Sequence, residues 1–507
     1  MSEKNIGGIE IQILYMDTVS RRFQYCFIGK LGDWCRAHQV RLIGHVVEEN
    51  GAHARLGYGF GHYFRSMDGM DMAGIDVVNN IYPGRTEGNL RTAFNNFDTT
   101  FNHWGLSKMA SSCANLDEKK QGNSICEAFG AYGWSEGLKV MKWITDSMCV
   151  RGINHIVPHA FSPASFPDPD CPPHFYARGF NPQFREFHQW STYTNRVCER
   201  ISGGKHIAPV AVLYHAETEW GGKYQPFEEV VKLLMQNQID CEVVWCDLLT
   251  DLEKNCMKDG VLQINGESFR VLLVPYAEYL PQVLTERLRE FSEEGLSVIF
   301  LKDYPKRSYF SREFIPREGM LKSNEETLIP LLENLNIRDI IPMEKKEQLA
   351  YYHYRKENID WYFFVNEGLT DTIFINIRFR DKREVCFYDP MTGEFLKAVQ
   401  RVCLSGEEER REVEILLRPY ESIFVVFGEN TEVYETVVVW LNGQKVGEVI
   451  CPPYRFYLPE GSLFPGENEI VIEVTNTLAK AHHENSYDRY WVQEPTGLLG
   501  PVEILWK

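Results

Sequence analysis

The stretch Asn123–Trp134, NSICEAFGAYGW, concentrates residues that could do chemistry. A short apolar run, Ser124-Ile125-Cys126, leads straight into Glu127, and Phe129, Gly130, Tyr132 and Trp134 follow at once. A carboxylate where a strand gives way to a loop, set among aromatic faces and glycine, suits a sugar site. Aromatic rings cover the apolar side of a pyranose, and the carboxylate does proton or nucleophile chemistry. The plainer alternative is a structural Glu, either paired with an Arg in the interior or exposed at a strand end.

The elements around this stretch alternate. Residues 20–38, with Phe23, Phe27, Leu31 and Trp34 at three- and four-residue spacing, predict an amphipathic helix. RLIGHVVEEN then reads as a strand, HYFRSMDGMDM as a short helix and GIDVV as a second strand. Residues 97–117 predict a helix before the Glu127 strand, and residues 135–150 predict one after it. INHIVPHAF is the fourth strand, followed by the Pro- and Asp-rich loop SPASFPDPDCPP and a helix around Trp190 and Tyr193. Such alternation means βαβ units and a parallel sheet. A (β/α)8 barrel needs eight strands, so residues 1–204 are expected to form the C-terminal half of one, a partial TIM-type barrel of about four strands.

Residues 205–345 predict a flavodoxin-like α/β domain, with apolar strands in PVAVLYHAETEW, DCEVVW, RVLLVPYAEYL and LSVIFL. No Gly-rich phosphate loop follows its first strand, which argues for a structural domain and against nucleotide binding. Residues 346–428 switch to period-two strands and predict a small β-sandwich. Residues 429–507 predict a partial jelly roll of about four strands, with Asn442-Gly443 as a hairpin turn. The fold class is therefore multidomain α/β plus all-β.

With 507 residues, 44% hydrophobic and 24% charged, the chain has ample material for several cores. A net charge of -18 argues against nucleic acid and against an anionic membrane surface. No run has the apolar length of a membrane span, and MSEKNIGGIEIQ lacks the apolar core of a signal peptide. The 13 cysteines show no metal-type pairs, and Cys126, Cys149, Cys241 and Cys246 fall in apolar runs. Reduced thiols in a cytoplasmic protein are expected.

The run WCRAHQVRLIGHVVEEN, then MAGIDVV, NSICEAFGAYGW, GINHIVPHAF, DPDCPP and FYARGF resembles the C-terminal part of multidomain glycoside hydrolases related to family 106, the α-L-rhamnosidase-like enzymes. It resembles the β-galactosidase-type barrels more loosely. The ending, NGQKVGEVICPPYRFYL through NEIVIEVTNTL to GLLGPVEI, is similar to the sugar-binding jelly roll of family 2 hydrolases. The resemblance implies that the four strands are the fifth to eighth of a barrel. It also implies an oligosaccharide or glycoside substrate and hydrolysis by two carboxylates, acid and base, with inversion as in family 106. The matching carboxylates are Glu127 and either Glu48 or Glu49. Alternation sends the last two to opposite faces, and Glu49, the more terminal, is preferred.

Each supporting residue has a plainer role beside the functional one. His45 binds a sugar hydroxyl or is a satisfied core histidine; Asp76 binds a hydroxyl or caps a helix. Trp134 stacks on a sugar or fills space behind the strand, and His159, at the end of its strand, is a better binder candidate than His155. Asp168 and Asp170 read as a solvated turn. No cofactor or metal is expected. Some relatives hold calcium near the site, and Glu48, Glu49 and Asp76 are oxygen ligands of the right kind, but there is no calcium loop.

A half-barrel leaves strand edges unpaired, which invites self-association. Three readings stand: a glycosidase, a catalytically inactive carbohydrate-binding remnant, or a fragment that completes another chain's barrel.

Overall fold

The computed structural model describes residues 3–46, 53–54, 60–91, 96–309, 313–405, 408–428, 436–449, 456, 458 and 461–475. It contains the partial barrel, a flavodoxin-like sheet and β-sandwich strands, as the residue pattern predicts, and no closed barrel among the described residues. Helix α1 starts at Glu3 and continues through a wide turn at Gln24–Ile28 to Ala37, well ahead of the predicted start near Ser20. Three parallel strands follow in the order β1 (Ala73–Val77), β2 (Ser124–Ala128) and β3 (His155–Pro158). The segment 41–46, predicted as a strand, lies beside β1 without strand pairing of its own. Asp71 anchors it, exchanging backbone hydrogen bonds with Leu42 through its N–H (2.8 Å) and its Oδ2 (2.7 Å).

The back of this sheet is covered by helix α2 (Ser107–Leu116) and, on the same core, helix α3 (Leu138–Cys149). Met109, Ala110, Cys113, Met141, Ile144 and Met148 recur at helical spacing and are all buried. Cys126, Cys149, Cys241 and Cys246 are buried free thiols. Helix α4 (Phe187–Arg200) closes the half-barrel.

The second sheet is all parallel, in the order β8 (Leu321–Ser323), β7 (Ser297–Leu301), β6 (Val271–Val274), β4 (Val210–Tyr214) and β5 (Cys241–Trp245). Numbered from β4, that is the 2-1-3-4-5 order of flavodoxin-like folds. An antiparallel sheet of Asn255–Lys258, Val261–Ile264 and Glu267–Phe269, which residue pattern did not reveal, is inserted between β5 and β6. The sandwich packs a six-stranded sheet on a four-stranded one around Tyr362, Phe364, Ile375, Phe379, Val413 and Phe427. Lys205–His206 and Ile340–Pro342, at the two ends of the flavodoxin-like span, pair into these sandwich sheets. Beyond it, Thr436–Leu441 and Gln444–Val449 form the expected hairpin through Asn442 and Gly443, both at positive φ, with Ile470–Thr475 as third strand. The rest of the expected jelly roll lies largely outside the described residues.

Buried charges join the modules. Arg151, just after α3, makes a two-pronged pair with Glu367 of the sandwich (2.7 and 3.0 Å), and Trp143 donates to the Glu367 carbonyl (3.2 Å). Burial alone would raise the Glu367 carboxyl; Arg151 and His103 beside it hold it well below the usual range. Arg65 pairs with Asp247 (2.7 Å) and Asp17 (2.9 Å), tying the half-barrel to the flavodoxin-like sheet. Removing one partner of such a pair strands a charge in the interior. Arg151→Met should cost about 3–5 kcal/mol in denaturant unfolding, and adding Glu367→Gln should recover most of that loss. An unchanged midpoint for the single variant would show that the pair carries no stability.

Candidate functional site

In β1, β2 and β3, Asp76, Glu127 and Val157 stand at one level: the register pairs Asp76 with Glu127 and Glu127 with Val157. Residues level across parallel strands share a face, so this face, opposite α2, carries two carboxylates on neighbouring strands. Asp76 is buried, whereas the Glu127 side chain is 37% exposed. His45 reaches over β1 to place Nε2 at 3.3 Å from Glu127 Oε2. That reach depends on Gly74. A Cβ there would meet the Gly44 carbonyl oxygen at 1.8 Å, so any side chain at 74 would push the His45 segment away. His45, Asp76 and Glu127 thus converge. Glu48 and Glu49 lie outside the described residues.

His159 immediately follows β3, and its N–H donates to the Ala128 carbonyl (2.8 Å) at the end of β2. Its ring packs on Gly130, where a Cβ would stand 3.2 Å from Nδ1, and Nδ1 is buried with no hydrogen-bond partner among the described residues. The His155 ring, in contrast, is engaged: Nδ1 lies 2.8 Å from Asn154 Oδ1, and burial pushes its pKa down.

Two loops pair at the carboxyl ends of the strands. Ala131 and Gly133 donate to the carbonyls of Cys171 (3.3 Å) and Pro172 (2.8 Å). Trp134, 43% exposed, meets Phe166 edge-on with centroids 5.4 Å apart, and Phe166 stacks on exposed Phe180 at 4.5 Å. These rings form an open aromatic surface on the same end of the sheet as Glu127. Asp168 accepts from Ser162 Oγ (2.5 Å) and from the Asp170 N–H (3.1 Å), the hydrogen bonding of a turn.

Sequence reasoning missed Glu136. Both its carboxylate oxygens are buried without a partner among the described residues, at a crevice it shares with Leu138, Phe175, Phe184 and Phe187. Burial pushes its pKa up to about 9. Tyr132, whose hydroxyl bridges the N–H (3.1 Å) and carbonyl (2.8 Å) of Ile81, joins this loop to the one after β1. In the sequence, Glu136 looks like any acidic residue ahead of a helix; only the aromatic density of both loops hints at its surroundings. A carboxyl kept protonated in an apolar setting is a proton donor at neutral pH.

No family model matches this sequence, and no curated protein matches it. Among solved structures, the chain is similar to the rhamnosidase from Novosphingobium sp. PP1Y, with a TM-score of 0.60 and 15% identity over 95% of this chain and 55% of that one. The chain therefore spans about half the length of that enzyme. It is also similar to Gan42B, a GH42 β-galactosidase (TM-score 0.57, 11% identity, 83% of this chain and 69% of that one). The β-galactosidase from Bacillus circulans sp. alkalophilus gives a TM-score of 0.54 at 11% identity, over 83% of this chain and 68% of that one. At such identities the likeness concerns the fold alone.

The proton on Glu136 gives a signed test. The folded chain keeps it to about pH 9, while the unfolded chain releases it near the ordinary value of 4.5. Its contribution to stability is therefore full below pH 4.5 and is lost as pH rises to about 9. Glu136→Gln should melt higher than the parent at pH 8, with the gap closing toward pH 4.5; parallel melting curves across that range would mean Glu136 ionises normally.

Proposed function

We propose that this chain carries part of the active site of an α-L-rhamnosidase-like glycosidase, with Glu127 as one of two carboxylates acting on an O-glycosyl bond. The observation that carries the reading is the convergence of His45, Asp76 and Glu127 on one face at the carboxyl ends of parallel strands. Active residues in barrel enzymes sit at that end. In this reading His45 orients the Glu127 carboxylate, and Asp76, level with it on β1, serves as a hydroxyl or cation ligand. Trp134 offers its ring to the apolar face of a sugar, and His159 contributes a ring nitrogen. The second carboxylate is Glu49 or Glu48, from the segment that follows His45.

A second reading has its own support. Val157, on the same face as Glu127, is 48% exposed, and β3 pairs only with β2 among the described residues. An open face and edge of this kind fit a chain that works only when another half-barrel, from a second copy or a partner, covers them.

The test is hydrolysis of an aryl glycoside panel, α-L-rhamnoside and β-D-galactoside included, by the purified chain beside Glu127→Gln. Turnover falling at least about a thousandfold in the variant, with an unchanged circular dichroism spectrum, is the expected result. Equal rates in both would remove Glu127 from the chemistry. Trp134→Ala should raise KM about fivefold with kcat little changed, since a stacked ring is worth about 1 kcal/mol. No turnover, together with a concentration-dependent rise in mass by light scattering, would favour the second reading.

A further inference from the structure

Away from the strand ends, a second cluster of polar groups is buried where the modules meet. His206 sits on the short strand linking the half-barrel to the flavodoxin-like sheet, Glu242 on β5, and Glu267 on the inserted hairpin. All three are buried, and one donor atom from each lies within 4.8 Å of the other two. The surrounding groups are arranged as a metal's outer shell would be. His206 Nε2 is 2.7 Å from Asp240 Oδ2, which fixes the ring and turns Nδ1 toward Glu242 Oε1 at 2.5 Å. Lys108 pairs with the other oxygen of Asp240. Glu242 accepts from Ser112 Oγ and from Asn115 Nδ2 (2.7 Å). Metal-bound histidines almost always give their second nitrogen to a carboxylate or carbonyl in this way, and metal-bound carboxylates are themselves hydrogen-bonded.

Glu267 is the independent sign of a ligand. It is 4% exposed, and neither carboxylate oxygen has a hydrogen-bond partner among the described residues. Chance does not bring it there. The hairpin turn Asn265-Gly266 has both residues at positive φ. It docks through Asn265 Nδ2 on the Asn115 carbonyl (2.7 Å), and the Asn265 carbonyl accepts from Lys205 Nζ (2.5 Å).

We propose that His206, Glu242 and Glu267 bind one divalent transition-metal ion of the zinc class, which fastens the half-barrel, the flavodoxin-like sheet and the inserted hairpin at one point. One imidazole with two carboxylates suits zinc or manganese over calcium or magnesium. Bonds of about 2.0–2.2 Å would set the donors roughly 3.5 Å apart, so on binding the His206 Nδ1–Glu242 Oε1 pair, 2.5 Å apart here, opens to admit the ion in place of its shared proton. A water or a second carboxylate oxygen completes four-coordination. This site is independent of the glycosidase reading and uses none of its residues.

The experiment uses the full chain, stripped with a chelator and dialysed against Zn2+ or, separately, Mn2+. Bound metal is counted by elemental analysis, and melting is followed with and without metal. The expected result is one ion per chain, a melting rise of several degrees, and at least a hundredfold weaker binding in Glu267→Gln, with His206→Gln behaving alike. Circular dichroism of the metal-free variants checks that both are folded. The proposal is overturned if the parent binds no ion, or if Glu267→Gln binds as much metal as the parent with the same melting response, which would place the ion elsewhere, for example on exposed Cys26 or Cys256.

Discussion

A three-stranded parallel sheet cannot hold itself together, and everything about this half-barrel follows from that constraint. Parallel strands need cover on their faces, and among the described residues the back of β1–β3 has it from α2, α3 and the rest of the core. Those helices are in turn held from outside the barrel. Arg151 and Trp143 reach Glu367 of the sandwich; Lys142 reaches the Tyr420 carbonyl (2.7 Å) and Ser422 Oγ (3.0 Å); Lys108 reaches Asp240 of the flavodoxin-like unit. Each is a charge or donor that burial makes costly to leave unmatched. The site face is thus positioned by modules that contribute no residue to it.

The same arrangement explains where polarity is tolerated. Side chains on the back of β1 and β2 (Ile75, Val77, Cys126, Ala128) are buried and apolar. The front carries Asp76 and Glu127, one residue out of phase with them. A shift of one residue in register would bury Glu127 against α2 and expose Cys126, so the hydrophobic match of the back face fixes the placement of the carboxylates in front. Gly74 acts at the same level, since only the absence of a Cβ lets the His45 segment lie close enough for the imidazole to reach Glu127.

Much of this was legible from residues alone where the signal is local. SICE followed by aromatics and glycine marks a strand with a carboxylate at its end, and Asn442-Gly443 between apolar runs marks a hairpin. Alternating apolar runs and helical periodicity marked the partial barrel, with three of its four expected strands paired among the described residues, and the flavodoxin-like sheet. What escaped depends on contacts between distant segments. Asn265-Gly266 is as good a turn signal as Asn442-Gly443, but its flanking strands are short and carry polar residues, Gln263 and Ser268, that blur the alternation. β8 is three residues long and becomes a strand only because β7 offers it an edge. His206, Glu242 and Glu267 share no motif spacing, and only the packing of three modules brings them within reach of one another.

Glu127 and Glu136 show most clearly why residue type alone cannot assign chemistry. Glu127 is the fourth residue of β2 and Glu136 lies on the connection that follows it, and the two have the same side chain. Glu127 faces an open surface with an imidazole beside it; Glu136 lines a crevice with Leu138, Met141, three phenylalanines, Asn181 and Gln183, and neither of its oxygens has a hydrogen-bond partner among the described residues. Burial alone therefore raises the pKa of Glu136, and its neutral form is favoured. Between them lies the turn at Ala131–Gly133, with positive φ at both residues. The different surroundings of the two carboxyls thus arise within one short stretch of chain, nine residues apart.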